Sequence, residues 1–321
     1  MFTYTFIIPH KNIPSLLKRC IDSIPNQNDI EIIVVDDNSN NESVIELKKL
    51  SHANLRIIYT HENKGAGYAR NIGIKSAHGK WILFADADDF FLPNILELID
   101  LYKDEQKPLI LFKSVCRDSN KLNNEGNRQW LCDMFSKNME FFKEGKINSI
   151  NLILGHGVPW AKMVQLNFLK NKELFFDEIK FGNDIGWITR LALCTHDNDI
   201  VLANKALYCL TDRDSSLYHS QTPEALYCRF TASYHQHITL KSNDIPSSFN
   251  YLPFVVEARK MGPFFLLIFI KFILKNLYRK SAIFKIEKRL HLKKPYLYVF
   301  IQIIKVSASL PLSFLSKKHV K

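Results

Sequence analysis

Five short apolar, β-branched runs divide the first 115 residues, and polar turns with helically spaced segments separate them. Thr5-Phe6-Ile7-Ile8, Ile30 to Val35, Leu55 to Tyr59, Trp81 to Ala85 and Leu109 to Phe112 read as buried strands. Between them, Leu16, Leu17, Cys20, Ile21 and Ile24 fall at helical spacing, as do Val44, Ile45 and Leu47. Gly65 to Ala77 and a segment opened by Pro93 complete the helices. This alternation predicts a parallel sheet with helices on both faces. Ligands of such sheets bind beyond the carboxyl ends of the strands. Residues 116–150 read as polar and irregular, 151–230 as mixed, and 240–250 as a polar break.

Composition narrows the class. With 46% hydrophobic and 23% charged residues the chain is globular, and eleven glycines in 321 residues exclude a collagen-like repeat. The six cysteines are scattered without a C-x-x-C pair, which predicts reduced thiols and no zinc cluster. The start, Met1 to Pro9, has no basic stretch and no small-residue cleavage site, so no signal peptide is expected.

Acidic residues gather where a ligand would lie. Val35-Asp36-Asp37-Asn38-Ser39 ends the second strand, and Asp86-Ala87-Asp88-Asp89 ends the fourth. A carboxylate at the first place can accept from a base N–H or a ribose hydroxyl, or simply cap the next helix. At the second, Asp86 and Asp88 share one side by the strand period, which suits a hard divalent cation. Without a cation the three acids raise one another's pKa. Asn63-Lys64-Gly65-Ala66-Gly67-Tyr68-Ala69-Arg70-Asn71-Ile72-Gly73 opens a helix whose glycines permit close approach. Arg70 lies about one turn in, within reach of a diphosphate or a carboxylate. The spacing matches neither the dinucleotide nor the P-loop fingerprint. Asp184, in Phe181-Gly182-Asn183-Asp184, reads as a helix cap or as a site acid. Trp130 and Trp187 read as packing residues, and His156 as a solvated loop histidine.

Taken together, residues 5–115 resemble the inverting nucleotide-sugar transferases of glycosyltransferase family 2, which have the GT-A fold. The resemblance rests on Ile8-Pro9-His10-Lys11-Asn12, Val35 to Ser39, Asn63 to Gly73, and Asp86-Ala87-Asp88, in that order and spacing. Lys11 stands where the family usually has an aromatic residue. Further on, Pro159-Trp160-Ala161-Lys162 is similar to an acceptor-region segment. Asn183-Asp184 takes the place of an E-D pair, and Arg213-Asp214-Ser215-Ser216 that of a late R-x-x-S segment.

The resemblance implies a GT-A sheet with a helical C-terminal extension, divided as residues 1–115, 116–235 and 236–321. It implies a Mn²⁺ or Mg²⁺ ion on Asp88 with help from Asp86. Donor contacts would come from Pro9, Asn12, Asp36, Asp37, Asn63, Gly65, Arg70, Asp86, Ala87, Asp88 and Arg213. Acceptor contacts would come from Trp160, Lys162 and Asn183, with Asp184 as general base. The implied reaction moves a hexose or N-acetylhexosamine from a UDP-sugar to a hydroxyl of a glycan or lipid-linked acceptor in bacterial surface polysaccharide synthesis. Competing readings are a non-catalytic shell that binds carbohydrate, a sugar nucleotidyltransferase, and a nucleic-acid binder. The last two lack, respectively, an early basic glycine loop and a groove of stacking aromatics.

The net charge of +11 is local. Residues 262–321 hold thirteen Lys/Arg and one acid, Glu287, so the rest of the chain is nearly neutral. Phe264 to Tyr278 is apolar with Lys271, Lys275 and Arg279 spaced by four, and Tyr296 to Ser316 is a second apolar segment. An interfacial amphipathic helix beside acidic lipid is expected, with the protein peripheral on the cytoplasmic side of the inner membrane.

Overall fold

The computed structural model describes residues 2–213 and 220–280. The expected alternation forms at the N-terminus: β1 (Tyr4–His10), α1 (Pro14–Asp22), β2 (Ile30–Asp36), α2 (Asn41–Leu47), β3 (Leu55–Tyr59), α3 (Ala66–Ser76) and β4 (Trp81–Phe84). There follow β5 (Phe90–Phe91), α4 (Ile95–Asp100), β6 (Leu109–Asp118), α5 (Gln129–Lys143), α6 (Ser149–Gly155), β7 (Lys162–Gln165), α7 (Leu166–Asn171), α8 (Asn183–Cys194) and β8 (Ile200–Asp212). Three helices close the described chain, α9 (Pro223–Ser242), α10 (Leu252–Lys260) and α11 (Pro263–Lys280).

One eight-stranded sheet runs β3-β2-β1-β4-β7-β6-β8-β5. The strands β3, β2, β1 and β4 are mutually parallel, as are β6 and β8. The short β7 lies antiparallel between β4 and β6, and β5 lies antiparallel against β8. The expected fifth strand is therefore present but does not adjoin the fourth, because a later segment is inserted between them.

Successive residues of one strand serve opposite faces. Phe6, Ile8, Val34 and Leu83 join one apolar cluster, while Ile7, Ile33, Val35 and Phe84 join the other. Burial on both faces is why these strands read as unbroken apolar runs. Trp187 is core, stacked on Phe176 with ring centroids 4.6 Å apart, whereas Trp130 is exposed.

Two local expectations are corrected. Residues 116–150 are not irregular: α5 buries Cys132, Phe135 and Met139, a stripe at three- and four-residue spacing hidden among polar neighbours. The helix after Pro93 begins at Ile95, because Asn94 takes a left-handed conformation at φ 68°. All six cysteines are unpaired.

By compactness the chain divides into a unit of Met1–Ser220 with Thr231–Ser247 and a unit of Gln221–Phe230 with Ser248–Lys321. The first contains the sheet. In the second, α10 and α11 pack together, and Tyr227 and Phe230 meet Phe269 and Phe272. The expected second apolar segment, Tyr296 to Ser316, and residues 214–216 lie outside the described residues.

Candidate active site

Parallel register sets the ends of β1 and β2 side by side, with His10 opposite Asp36. Asp36 is buried and fully engaged: His10 Nδ1 lies 2.9 Å from Oδ1, and the Ser39 N–H donates to Oδ2 at 3.0 Å. Burial pushes its carboxyl up, but the bonds from His10 and Ser39 outweigh it and hold the pKa below the usual range. Asp37 accepts from the Lys64 and Gly65 amides, both at 2.8 Å. It thereby ties the end of β2 to the loop that starts α3. Asn12 Oδ1 accepts from the Asn40 N–H at 2.8 Å, and Asn63 accepts from Lys11 Nζ. Pro9 is buried within β1. These residues knit three loops into one floor.

Helix α3 reaches across the sheet edge. Gly67 is needed because a Cβ there would stand 2.2 Å from the Asp177 carbonyl oxygen. That bare backbone lets the helix abut residues 177–183. Asn71 then holds Phe176 in both directions, donating to its carbonyl at 3.0 Å and accepting from its N–H at 2.7 Å. Arg70 Nη1 donates to Asn183 Oδ1 at 2.9 Å, and Nη2 donates to Asp86 Oδ1 at 2.5 Å. Its guanidinium is buried and lies 5.2 Å from the Phe176 ring centroid. One side chain thus joins the end of β4 to the start of α8.

The Asp86-Ala87-Asp88-Asp89 turn is fixed by residues that no local motif singles out. The Tyr208 hydroxyl accepts from the Asp86 N–H at 2.9 Å and donates to Asp89 Oδ2 at 2.8 Å. The Thr211 N–H donates to Asp89 Oδ1, and its hydroxyl to the Asp88 carbonyl, both at 2.6 Å. Arg19 of α1 donates to that same carbonyl. Arg213 Nε donates to Asp88 Oδ2 at 2.7 Å. Ala87 is buried, and so is Asp89, held by Tyr208 and Thr211 as part of the frame.

Burial raises the Asp86 carboxyl, with Asp88 adding to the effect against the opposing charge of Arg70. Asp89 is pushed well up by burial and by the two neighbouring acids. A cation would relieve this crowding. Among the described residues no group of three or more His, Cys, Asp or Glu side chains could hold a metal alone. Asp86 and Asp88 nevertheless fit Mg²⁺ or Mn²⁺, which are commonly bound through one or two carboxylates together with substrate phosphates and water.

Asp184 is not a helix cap. Gly182 takes that position in a left-handed conformation at φ 73°, leaving Asp184 in the first turn of α8. Burial raises its pKa, against the charge of Arg70 and hydrogen bonds from backbone amides, while Asp86 pushes it further up. A partly buried carboxylate with an elevated pKa is suited to take a proton.

The acceptor candidates fare differently. Asn183 is at the site in the grip of Arg70. Trp160 and Lys162 are buried, and neither presents its side chain to solvent. Trp160 stacks on Tyr208 with centroids 5.1 Å apart. Lys162 Nζ donates to the His156 carbonyl at 2.9 Å and bonds the Val158 carbonyl and His156 Nδ1. His156 is thus fully buried rather than solvated. Burial and the neighbouring lysine push its pKa well down, and burial lowers that of Lys162 against the pull of Asp184. Stacking on Trp160 holds the Tyr208 ring, and with it the hydroxyl that serves the acidic turn.

The family model described as glycosyl transferase family 2 matches residues 5–171, just over half of the chain. The chain belongs to glycosyl transferase family 2. Glycosyltransferase GlyA of Streptococcus pneumoniae is 27% identical over 74% of this chain and 34% of its own length. Poly(ribitol-phosphate) beta-N-acetylglucosaminyltransferase TarS of Staphylococcus aureus is 26% identical over 71% of this chain and 39% of its own. The chain therefore spans a little over a third of these relatives. The crystal structure of S. aureus TarS 1–349 in complex with UDP-GlcNAc covers 95% of this chain at a TM-score of 0.59 and 19% identity. That likeness shows the fold, the GT-A architecture expected from the sequence.

Proposed function

We propose that this chain is an inverting, metal-assisted glycosyltransferase that moves a hexose or N-acetylhexosamine from a UDP-sugar to a hydroxyl of a glycan or lipid-linked acceptor in bacterial surface polysaccharide synthesis. The observation that carries this reading is the Arg70 bridge between Asp86 and Asn183. It joins the acids that suit a cation to the start of α8, the helix that carries the carboxylate suited to act as base. The UDP-GlcNAc complex of TarS supports a UDP-sugar donor.

Asp36, Asp37, Asn12, Asn63, Gly65 and Pro9 form the floor against which a uracil and ribose would rest. Asp88 and Asp86, with Ala87 between them, would hold Mn²⁺ or Mg²⁺ beside the diphosphate. When bound, the ion offsets the negative charge that grows on the departing diphosphate. Arg70 and Arg213 flank the same carboxylates and would add positive charge beside the leaving group. Asp184 takes the proton from the acceptor hydroxyl as that oxygen attacks the anomeric carbon opposite the diphosphate. A single displacement inverts the carbon, so an α-linked donor gives a β-linked product. Trp160 and Lys162, buried behind the site, would support it from within: Trp160 backs Tyr208 and so the Asp86 to Asp89 turn, and Lys162 holds the loop that precedes β7. Residues 262–321 would hold the enzyme peripherally at the cytoplasmic face of the inner membrane.

Incubation with UDP-sugars and Mn²⁺ tests the reading. Release of UDP that depends on both Asp184 and the metal is expected. Tight donor binding with no release by the wild type would leave a carbohydrate-binding shell instead.

A further inference from the structure

Helix α11 has two unlike faces. Phe269, Ile270 and Ile273 are fully buried, and Phe269 meets the rings of Tyr227 and Phe230 within the same unit. The other side leaves Phe264 77%, Leu267 51% and Ile268 43% exposed. These positions are three and four residues apart, so they form one contiguous stripe over the first turns. The next position on that line is Lys271, also exposed. Arg259 and Lys260, in the last turn of α10, precede the stripe; Lys260 pairs with Glu257 at 3.2 Å, and no acidic residue occurs from Met261 to Lys280. Beyond Lys271 the sequence adds twelve Lys/Arg against one acid.

We infer that Phe264, Leu267 and Ile268 insert into the interfacial layer of an anionic bilayer, with Lys271 lying against the headgroups. The inference rests on the membrane reading of residues 262–321 and assigns the contact to a specific face. An apolar stripe of this size is costly to leave in water, and a basic margin complements acidic lipid rather than an apolar protein groove. Phe269, on the buried side of α11, is committed to Tyr227 and Phe230 of its own unit, so the helix lies on the bilayer by its other side. Among the described residues no helix is long and apolar enough to cross a membrane.

The test is co-sedimentation of the full chain with vesicles of phosphatidylcholine and phosphatidylglycerol, at low and high salt. Wild type is expected to bind with a component that survives high salt, because apolar insertion is not screened. The double variant Phe264→Glu, Leu267→Glu should lose binding by roughly tenfold or more, and salt should release what remains. Leu101→Glu, which changes a leucine elsewhere that is more exposed than Leu267, should bind as wild type does. Unchanged binding by the double variant overturns the assigned face and leaves the basic sequence as the anchor. Failure of wild type to bind any vesicle overturns the membrane reading altogether. A double variant that turns an oligomer into a monomer by light scattering, with vesicle binding intact, makes the stripe a contact between copies instead.

Discussion

Arg70 and Asn183 stand 113 residues apart in the sequence and meet at 2.9 Å. Because Asn183 is neutral, the guanidinium keeps its charge for Asp86, which it binds with its other nitrogen. A forked cation can satisfy both partners at once, and an ammonium on a flexible stem cannot. Arg70→Lys is therefore expected to lower kcat/KM by on the order of 10²-fold and to destabilise the fold by about 1–3 kcal/mol. Steady-state kinetics beside a urea melt would register both; a variant with wild-type turnover refutes the bridging role.

Asp184→Asn should abolish transfer, by about 10²–10⁴-fold in kcat, with donor affinity kept. The same variant should be more stable than wild type at neutral pH. The folded-state pKa of Asp184 is raised, so ionisation costs the folded protein stability as pH rises from the unfolded pKa through the folded one. Below the unfolded value, about 3.9, that difference should vanish. Thermal melts of the pair at pH 7 and at acid pH check the sign. A variant less stable at pH 7 contradicts the electrostatic account.

Asp88→Ala should weaken metal-dependent UDP binding by on the order of 10- to 100-fold while leaving metal-free binding little changed. Calorimetry with and without Mn²⁺ separates the two, and equal losses in both would count against a metal role.

Tyr208→Phe removes one hydroxyl that serves two acids at once. Asp89 loses a donor in a fully buried place, and the cost should be about 1–3 kcal/mol. The Asp86 amide also loses its acceptor, so Mn²⁺-dependent UDP affinity should fall as well. Melting and calorimetry on one preparation test this. A fall in stability with no change in affinity would make Tyr208 part of the frame alone.

Gly67→Ala is a steric test of how α3 meets α8. The added methyl overlaps the Asp177 carbonyl and Asn183 Cβ, so α3 must shift and the Arg70 contact lengthen. A destabilisation of about 1–3 kcal/mol and a drop in kcat are expected. Unchanged kinetics would show that the close approach is dispensable.

Much of this protein was legible because its signals are local. The apolar runs of β1 to β4 and β6, the helical spacing of α1, and the acids after β2 and β4 each lie within a few neighbouring residues. A parallel sheet buries whole strands and gathers their ends, so Asp37 and Asp86 could be assigned to one edge. The α5 stripe is not legible in the sequence because its three buried residues are spread through a polar segment.

Only the tertiary structure decided the rest. The insertion of β7 between β4 and β6 depends on pairing energies spread along the sheet, not on any feature of Lys162–Gln165. The same holds for Tyr208, Thr211 and Arg19, which converge on the acidic turn from β8 and α1. Lys162 shows the limit most plainly: its type suggests a surface contact, yet carbonyls of His156 and Val158 take it inside. Residue type and spacing determine which elements form and where their polar ends fall. The partners of a side chain more than a hundred residues away are set by strand order and packing, and these exist only in the folded chain.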